Sequence, residues 1–321
     1  MDKLQFNQGL LSSIADHRSE PVTTFFQFIT FMGGVEGYLI LIAILFAAIS
    51  KRQAVQSSIV VLVAMIANHL MKILIQNPRP FVSDGTYLAQ WAVSPERAVE
   101  LVAEYSTPSG HAMAAAAFYL FLVLQTENVM IRLSLIVAAI LVGLSRPILG
   151  VHYVEDILLG WLIGGGMAIL ANFYIDKLWS RWIAVPMGAQ LGLTLILGAV
   201  IWFATLILTQ RPIAELPTEF VGILGFLTGV LLAAPIEATN FNYSPLGSSI
   251  AVKLARFVVM MTVLVGSLLV FDTLFSFVGS EGTFLEAMLR FTKYAAVGVA
   301  GILGAPWLFD RLRLAPQRSA S

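Results

Sequence analysis

Long apolar segments alternate with short polar connections along almost the whole chain. The apolar segments fall at residues 22–49, 56–76, 109–126, 130–149, 154–175, 184–209, 218–236, 252–278 and 290–309. A helix needs about 20 consecutive apolar residues to cross the hydrocarbon core of a bilayer. The pattern therefore predicts an all-α protein, a polytopic transmembrane bundle of about nine helices.

The composition agrees with a membrane protein. Of 321 residues, 58% are hydrophobic and only 12% are charged, whereas soluble domains carry about 25% charged residues. The formal net charge of zero gives no support for a nucleic-acid partner. The absence of cysteine excludes disulfides and thiolate metal sites.

The first group of polar residues follows the second apolar segment. Lys72 and Arg79 stand seven residues apart, about two helical turns, but Pro78 and Pro80 predict that the helix ends before Arg79 is reached. An arginine can bind a phosphate through two parallel hydrogen bonds. One such cation alone would be interpreted as an interfacial anchor.

The second group is the run Pro108-Ser-Gly-His at the start of the third segment. Pro108 is predicted just inside a helix, with Ser106 or Thr107 as its cap. The backbone N–H groups near Ser109 and Gly110 would then face an anion at the helix N-terminus. The run predicts a second set of donors for a phosphate.

Two histidines and a carboxylate complete the polar groups. His111 lies on the first turn of its helix, where it could protonate a leaving oxygen, although a lone histidine there is more often structural. His152 and Asp156 are four residues apart, so that a helix would place them on one face. The carboxylate could then hold one imidazole nitrogen while the other attacks phosphorus. Glu155 competes with Asp156 for this role, and an isolated pair would be interpreted as a helix-start ion pair.

The distribution of lysine and arginine predicts the orientation, since cytoplasmic loops are enriched in both. With the N-terminus outside, ten such residues fall inside: Lys51, Arg52, Arg132, Lys177, Arg181, Lys253, Arg256, Arg311, Arg313 and Arg318. Six fall outside, once Lys72, Arg79 and Arg146 are set aside: Lys3, Arg18, Arg97, Arg211, Arg290 and Lys293. We expect a bacterial cytoplasmic membrane protein with its N-terminus out, its C-terminus in, and the polar groups on the extracytoplasmic side.

The three groups together resemble the complete tripartite signature of the type 2 phosphatidic acid phosphatase family, a pattern shared by glucose-6-phosphatase and vanadium haloperoxidases. The residues that carry the resemblance are Lys72-x6-Arg79-Pro80, Pro108-Ser-Gly-His111 and Ser145-Arg146-x5-His152-x3-Asp156. The resemblance covers roughly the first 180 residues. Residues 1–180 are therefore expected to form the catalytic membrane core, and residues 181–321 to be accessory helices of unknown role.

The resemblance implies a role for each signature residue. His152 would form a phosphohistidine, Asp156 would orient it, and His111 would be the general acid. The phosphate would be bound by Lys72, Arg79, Ser109, Gly110 and Arg146. The resemblance implies metal-independent chemistry without a cofactor, and four histidines with no cysteine leave no credible zinc site.

The leading interpretation is a lipid phosphate or polyprenyl diphosphate phosphatase, with the lipid phosphate and the surrounding membrane lipids as its partners. One alternative is a phosphotransferase that passes the phosphoryl group to a second lipid. Another is a lipid transporter or flippase, for which Pro235 and Asp272 in the C-terminal half give thin support. Halide oxidation is the weakest alternative. The last four segments could shape a lipid entrance or form a homodimer interface.

Two expectations concern individual elements. Ser94-Pro95 predicts a short helix in the connection 78–107, either bordering the mouth of the site or solvated. Gly160 and Gly164 have the small-xxx-small spacing of a close helix contact.

Overall fold

Helices are the only regular secondary structure in the described part of the chain. The computed structural model describes residues 4, 6–83, 93, 101, 104–211, 219–278 and 283–315. The α-helices are α1 (Gln8–Asp16), α2 (Glu20–Phe31), α3 (Val35–Ile44), α4 (Lys51–Ile75), α5 (Pro80–Ser83), α6 (Gly110–Leu124), α7 (Val129–Ile148), α8 (Val154–Ile183), α9 (Met187–Thr209), α10 (Glu219–Asn240), α11 (Ile250–Ser276), α12 (Phe284–Val299) and α13 (Ala305–Arg311). π-helical turns follow α3 at Leu45–Ile49 and α12 at Ala300–Gly304. The helix predicted at Ser94-Pro95 lies outside the described residues.

The all-α prediction is confirmed, and the chain is an integral membrane protein. All nine predicted apolar segments are largely helical. Among the described residues, six helices are long and apolar enough to cross a bilayer, namely α4 and α7 to α11, or seven if the bent pair α2 and α3 counts as one span. Helix α6 is apolar but shorter, with 15 residues.

The segment predicted at 22–49 is not one straight helix. Helix α2 ends at Phe31, α3 begins at Val35, and the two meet at an angle of 56°. Gly33 and Gly34 lie at the break, and each glycine costs a helix about 1 kcal/mol relative to alanine. A side chain at Gly37 would overlap the backbone of Phe31, so the sharp corner needs a glycine there.

The helices form two compact units. One contains residues 1–38 and 63–174, and the other contains residues 39–62 and 175–321. Helix α4 thus contributes its first half to the second unit and its second half to the first. All of the predicted site residues belong to the first unit.

Helix α6 is the buried centre of the first unit. Its alanines at 112 and 114–117 are at most 1% exposed, and the helix packs against α7. Helix α8 also approaches α6 closely, because side chains at Gly160 and Gly164 would collide with the backbone carbonyls of Ser109 and Met113. The predicted glycine contact is therefore confirmed, and it holds the start of α6 in place.

A buried polar network lies within the second unit. Lys51 Nζ donates to Glu237 Oε2 over 2.6 Å, and the other carboxylate oxygen of Glu237 accepts from Tyr243 N. The Tyr243 hydroxyl donates to the carbonyl of Ala47 in the first π-helical turn. The guanidinium of Arg256 lies over the Tyr243 ring.

The two residues cited for a transporter, Pro235 and Asp272, both lie within continuous helices. Asp272 accepts a hydrogen bond from Lys293 Nζ over 2.5 Å. Helix α10 runs without interruption through Pro235.

Candidate active site

The chain leaves α4 one turn before Arg79. Helix α4 ends at Ile75, and Gln76 adopts the left-handed conformation with φ of +54°, an ordinary helix stop. Asn77 then binds the segment that precedes α6: its carbonyl accepts from Ser106 N, and its side-chain amide donates to Thr107 Oγ1. The predicted helix end before Arg79 is confirmed. The bonds of Asn77 hold the backbone in place just before Arg79.

Arg79 and Lys72 converge on one carboxylate. Arg79 Nη2 donates to Glu104 Oε2 over 2.6 Å, and Lys72 Nζ donates to the same oxygen over 3.2 Å. Arg79 is 2% exposed, whereas the Glu104 side chain is 27% exposed. The two cations predicted to bind phosphate thus meet at one acidic oxygen.

The other amino group of Arg79 reaches His152. Arg79 Nη1 donates to the Val151 carbonyl and to His152 Nε2, each over 3.0 Å. Because a guanidinium only donates, Nε2 must carry the lone pair and the proton must sit on Nδ1. Nδ1 lies 3.3 Å from Asp156 Oδ2 and 3.2 Å from Ser106 Oγ. The ring therefore presents an unprotonated nitrogen to Arg79.

Asp156 is held by four donors. Its two oxygens accept from Ser106 Oγ over 2.5 Å, Thr107 Oγ1 over 2.6 Å and Tyr153 N over 2.9 Å, besides His152. The bond to Tyr153 N resembles half of a capping box, because Tyr153 precedes the first residue of α8 and Asp156 is its third. His152 lies just before α8, so the cap, rather than one shared helix face, brings the pair together.

The charges around His152 favour its neutral form. Burial lowers the pKa of His152 well below its usual range, and the charges of Arg79, Arg146 and Lys72 lower it further. Glu104 acts weakly in the opposite direction. A neutral imidazole is the form that can attack phosphorus.

The start of α6 differs from the prediction. Helix α6 begins at Gly110 and its cap is Ser109, whose Oγ accepts from Ala112 N. Ser106 and Thr107 are not caps, because their hydroxyls donate to Asp156 instead. The Ser109 N–H donates to the Asp156 carbonyl over 3.1 Å, so Ser109 would serve a phosphate through its hydroxyl.

Gly110 and His111 lie against other helices of the first unit. A side chain at Gly110 would lie 3.1 Å from Asn68 Oδ1 of α4, and one at Gly33 would lie 3.3 Å from His111 Cδ2. His111 is close enough to His152 for the charges of the two rings to interact. The break between α2 and α3 thus borders the proposed general acid.

Arg146 comes from the last turn of α7 and is 6% exposed. Its Nη1 donates to Thr30 Oγ1 over 2.6 Å. Thr30 lies on α2, which packs against α7. This bond holds the guanidinium of Arg146, the third predicted cation. Its partner comes from α2, a helix that carries none of the three motifs.

The structure brings the sequence-predicted residues together and adds four more. The additions are Thr30, Glu104, Ser106 and Thr107. Ser106 and Thr107 stand next to the second motif, where two adjacent hydroxyls were a usable signal. Glu104 and Thr30 carried none, because nothing in their spacing connects them to Lys72 or Arg146. Within the described residues, histidine and carboxylate side chains form no group of three suited to a metal ion.

Parts of the chain are similar to two known phosphatases. Undecaprenyl-diphosphatase of Sulfolobus acidocaldarius is 31% identical over 110 residues, which are 34% of this chain and 48% of that protein. Phosphatidylglycerophosphatase B of Bacillus subtilis is 39% identical over 83 residues, 23% of this chain and 41% of that protein. The chain thus spans less than half the length of either relative.

The comparison with solved structures gives a match at low sequence identity. The crystal structure of LpxE from Aquifex aeolicus has a TM-score of 0.43 and 21% identity, covering 54% of this chain and 99% of that one.

Two adjacent regions match descriptions of the same superfamily. Residues 53–180 match the PAP2 superfamily, and residues 221–317 match the transmembrane extension of PAP2 superfamily phosphatases. The first region contains all of the predicted site residues. The second region, residues 221–317, contains helices in which the sequence shows no chemical motif. The chain belongs to the PAP2 superfamily and carries its transmembrane extension.

Proposed function

We propose that this protein is a metal-independent phosphatase of lipid phosphates or polyprenyl diphosphates that acts through a phosphohistidine. The observation that carries the proposal is the position of His152 Nε2, which lies 3.0 Å from the Arg79 guanidinium whose other amino group holds an acidic oxygen. A phosphoryl oxygen bound in place of that carboxylate would bring phosphorus to the nucleophile. In this proposal His152 is the nucleophile, Asp156 orients it and His111 is the general acid, as the family signature implies.

In the first step, His152 Nε2 attacks phosphorus and the bond from phosphorus to the leaving oxygen breaks. His111 gives its proton to that oxygen, which departs as an alcohol or a lipid monophosphate. Lys72, Arg79 and Arg146 stabilise the charge that spreads over the equatorial oxygens. Asp156 and Ser106 stabilise the proton that stays on His152 Nδ1.

In the second step, water attacks the phosphohistidine. His111, now unprotonated, takes a proton from the water, and the bond between phosphorus and Nε2 breaks. Inorganic phosphate leaves and the neutral His152 is restored. His111 serves as acid and then as base, so that each turnover returns it to its starting state.

A lipid substrate is supported by an apolar cavity of about 590 Å³ beside the site. Leu74, Ile75 and Leu159 line it, and Thr107 connects it to the Asp156 network. The names of the similar proteins, a diphosphatase of undecaprenyl and a phosphatase of phosphatidylglycerophosphate, support a phosphate on a long apolar tail. The cavity would hold the first part of that tail.

The alternatives differ from this proposal in a measurable product. A phosphotransferase would use the same first step and replace water by a lipid alcohol in the second, giving a new lipid phosphate instead of inorganic phosphate. A transporter would need paired charges or broken helices in the C-terminal half. Helix α10 is continuous through Pro235, and the charge pair formed there by Asp272 and Lys293 has a carboxylate side chain that is 56% exposed.

The proposal is tested by phosphate release from purified protein in EDTA. The substrates are phosphatidic acid, phosphatidylglycerol phosphate and undecaprenyl diphosphate. We expect release from at least one, with a loss of at least ~100-fold in His152→Ala because the covalent step disappears. A folded wild-type protein that releases no phosphate from any of them would refute the phosphatase, and a phosphorylated lipid product would favour phosphotransfer.

We place the site on the extracytoplasmic face of a bacterial cytoplasmic membrane, with the N-terminus out and the C-terminus in. The excess of lysine and arginine in the opposite loops supports this orientation. In sealed vesicles of known orientation, a short-chain substrate that cannot cross the bilayer should be hydrolysed only where the extracytoplasmic face is outward. Hydrolysis from the other face alone would reverse the orientation.

A further inference from the structure

Glu104 occupies the place where the proposed mechanism needs a phosphoryl oxygen. Its Oε2 receives hydrogen bonds from Arg79 Nη2 and Lys72 Nζ at 2.6 and 3.2 Å. The same guanidinium contacts His152 Nε2 at 3.0 Å. One acidic oxygen therefore binds both cations, and it shares the Arg79 guanidinium with His152, as an oxygen of a bound phosphate would.

The charges explain why a carboxylate binds there. Lys72 and Arg79 have side chains only 15% and 2% exposed, and two cations held together away from water need a counter-charge. Glu104 supplies one negative charge and also fixes both cations in position before substrate arrives. A substrate phosphate would supply the same charge and more.

Glu104 is better placed to leave than the cations are. Its side chain is 27% exposed, and it lies in the non-helical segment 104–109 before α6. The cations are anchored differently: Lys72 projects from α4, and Arg79 is also bonded to the Val151 carbonyl. Exchange at this site would therefore move the carboxylate and leave the cations in place.

We propose that Glu104 is an internal competitor for phosphate, which displaces the product from Lys72 and Arg79. The inference rests on the proposed function, because it requires inorganic phosphate as a product. The incoming phosphate takes both cations from the carboxylate, and the carboxylate returns as inorganic phosphate leaves. No covalent bond to Glu104 forms or breaks. The exchange lowers the affinity for substrate and product alike and prevents the product from remaining bound to a buried cationic site.

The experiment measures phosphate affinity directly, without turnover. Inorganic phosphate is titrated calorimetrically into the full-length protein in detergent, for wild type and Glu104→Gln. Because glutamine has nearly the same shape but no charge, we expect the phosphate dissociation constant to fall by at least ~10-fold, in line with the loss of one charge-assisted competitor. The inhibition constant of phosphate as product should fall by the same factor.

Two further variants make the result specific. Glu104→Ala removes the side chain as well as the charge and should also tighten phosphate binding. Glu155→Gln makes the same charge change in the same compact unit, but Glu155 Oε1 accepts from Asn7 N and not from the cations, so phosphate affinity should be unchanged.

Unchanged or weaker phosphate binding in both Glu104 variants would overturn the inference and leave Glu104 as a positioning residue for the cations. A wild-type protein that binds phosphate yet releases none from lipids would refute the phosphatase only, because the titration still reports the competition. An equal gain in affinity in Glu155→Gln would also overturn the inference, since the effect would then be a general one of net charge.

Discussion

Arg79 joins the binding and the nucleophilic parts of the proposed site through one guanidinium. One amino group holds the acidic oxygen of Glu104 and the other contacts His152 Nε2. Since arginine is always protonated, its proximity disfavours a second positive charge on the imidazole. In the proposed mechanism, the same side chain would bind the phosphate and keep the nucleophilic imidazole neutral.

This arrangement predicts the acid side of the pH profile. The pKa of His152 is lowered well below its usual 6.5 by burial and by Arg79, Arg146 and Lys72. The ring stays neutral until the pH falls through that lowered pKa, so kcat/KM of the free enzyme should decline only below pH 6.5. Measurement of kcat/KM from pH 4 to 9 tests this, and a decline centred at or above 6.5 would contradict it.

Glu104→Gln provides the control for that profile. The Glu104 charge raises the pKa of His152, so its removal should move the acid decline to lower pH. The substrate phosphate titrates identically with both proteins, and therefore a difference between the two profiles comes from the enzyme. Identical profiles would show that Glu104 does not act electrostatically on His152.

The sequence could predict those site residues whose chemistry recurs at fixed spacing. His152 and Asp156 are four residues apart, and Lys72 and Arg79 lie on the two sides of a proline-marked helix end. Glu104 was not predictable, because it lies 25 residues from Arg79 and 32 from Lys72 in the sequence, and only the tertiary structure brings them together.

The contact between Thr30 and Arg146 could not be predicted for a similar reason. Thr30 contacts Arg146 through the packing of α2 on α7, 116 residues away in sequence. Contacts of this kind belong to the tertiary structure and leave no local pattern.

At the scale of helices, the approach of α8 to α6 determines where the second motif begins. Side chains at Gly160 and Gly164 would collide with the carbonyls of Ser109 and Met113. Backbone atoms cannot rotate away as a flexible side chain can, so an added methyl group must push the helices apart. Such a shift would displace Ser109 and the His111 that follows it.

Gly164→Ala should therefore destabilise the protein by about 1–3 kcal/mol, the usual cost of overpacking, and reduce phosphate release. Gly166→Ala is the matched control, because a side chain there would meet nothing within 4 Å and alanine favours a helix. Thermal unfolding in detergent and the EDTA assay measure both effects. Equal unfolding temperatures for the two variants would show that the α6–α8 contact is not tight.

Hydropathy predicted the helical segments because a bilayer imposes both their length and their composition. It did not predict the corner in 22–49, which depends on Gly33, Gly34 and Gly37 standing within one apolar run. Nor did it predict the cap at Ser109. The preceding hydroxyls of Ser106 and Thr107 were equally good caps in sequence, and Asp156 engages them instead.

At the scale of the whole molecule, the two compact units are not consecutive in sequence. Residues 39–62 belong with residues 175–321, and Phe46 and Ala54 are fully buried in the core of that second unit. The predicted boundary after residue 180 stays a prediction. It deserves a test because the second unit contains residues from both sides of that boundary. A cut at that point would leave 39–62 without most of the residues that it packs against.

We predict that residues 1–180 alone do not form a stable protein. In lipid, the lost apolar contacts would be replaced in part by acyl chains, but the polar ones would not. Lys51 would lose Glu237, and the Ala47 carbonyl would lose the Tyr243 hydroxyl. Each buried polar group left without its partner costs about 1–3 kcal/mol, and a charged group costs more. Size-exclusion chromatography and thermal unfolding of the fragment in detergent should show aggregation and no cooperative transition.

The matched control is the same cut with residues 181–321 expressed alongside as a second chain. Reassociation would restore the hydrogen bonds of Glu237 and Tyr243 to residues 39–62. The paired fragments should therefore purify together and recover phosphate release. If residues 1–180 instead run as a single species, unfold cooperatively and release phosphate without their partner, the boundary at 180 separates an independent catalytic core. In that case the helices of the transmembrane extension would be accessory to a unit that folds without them.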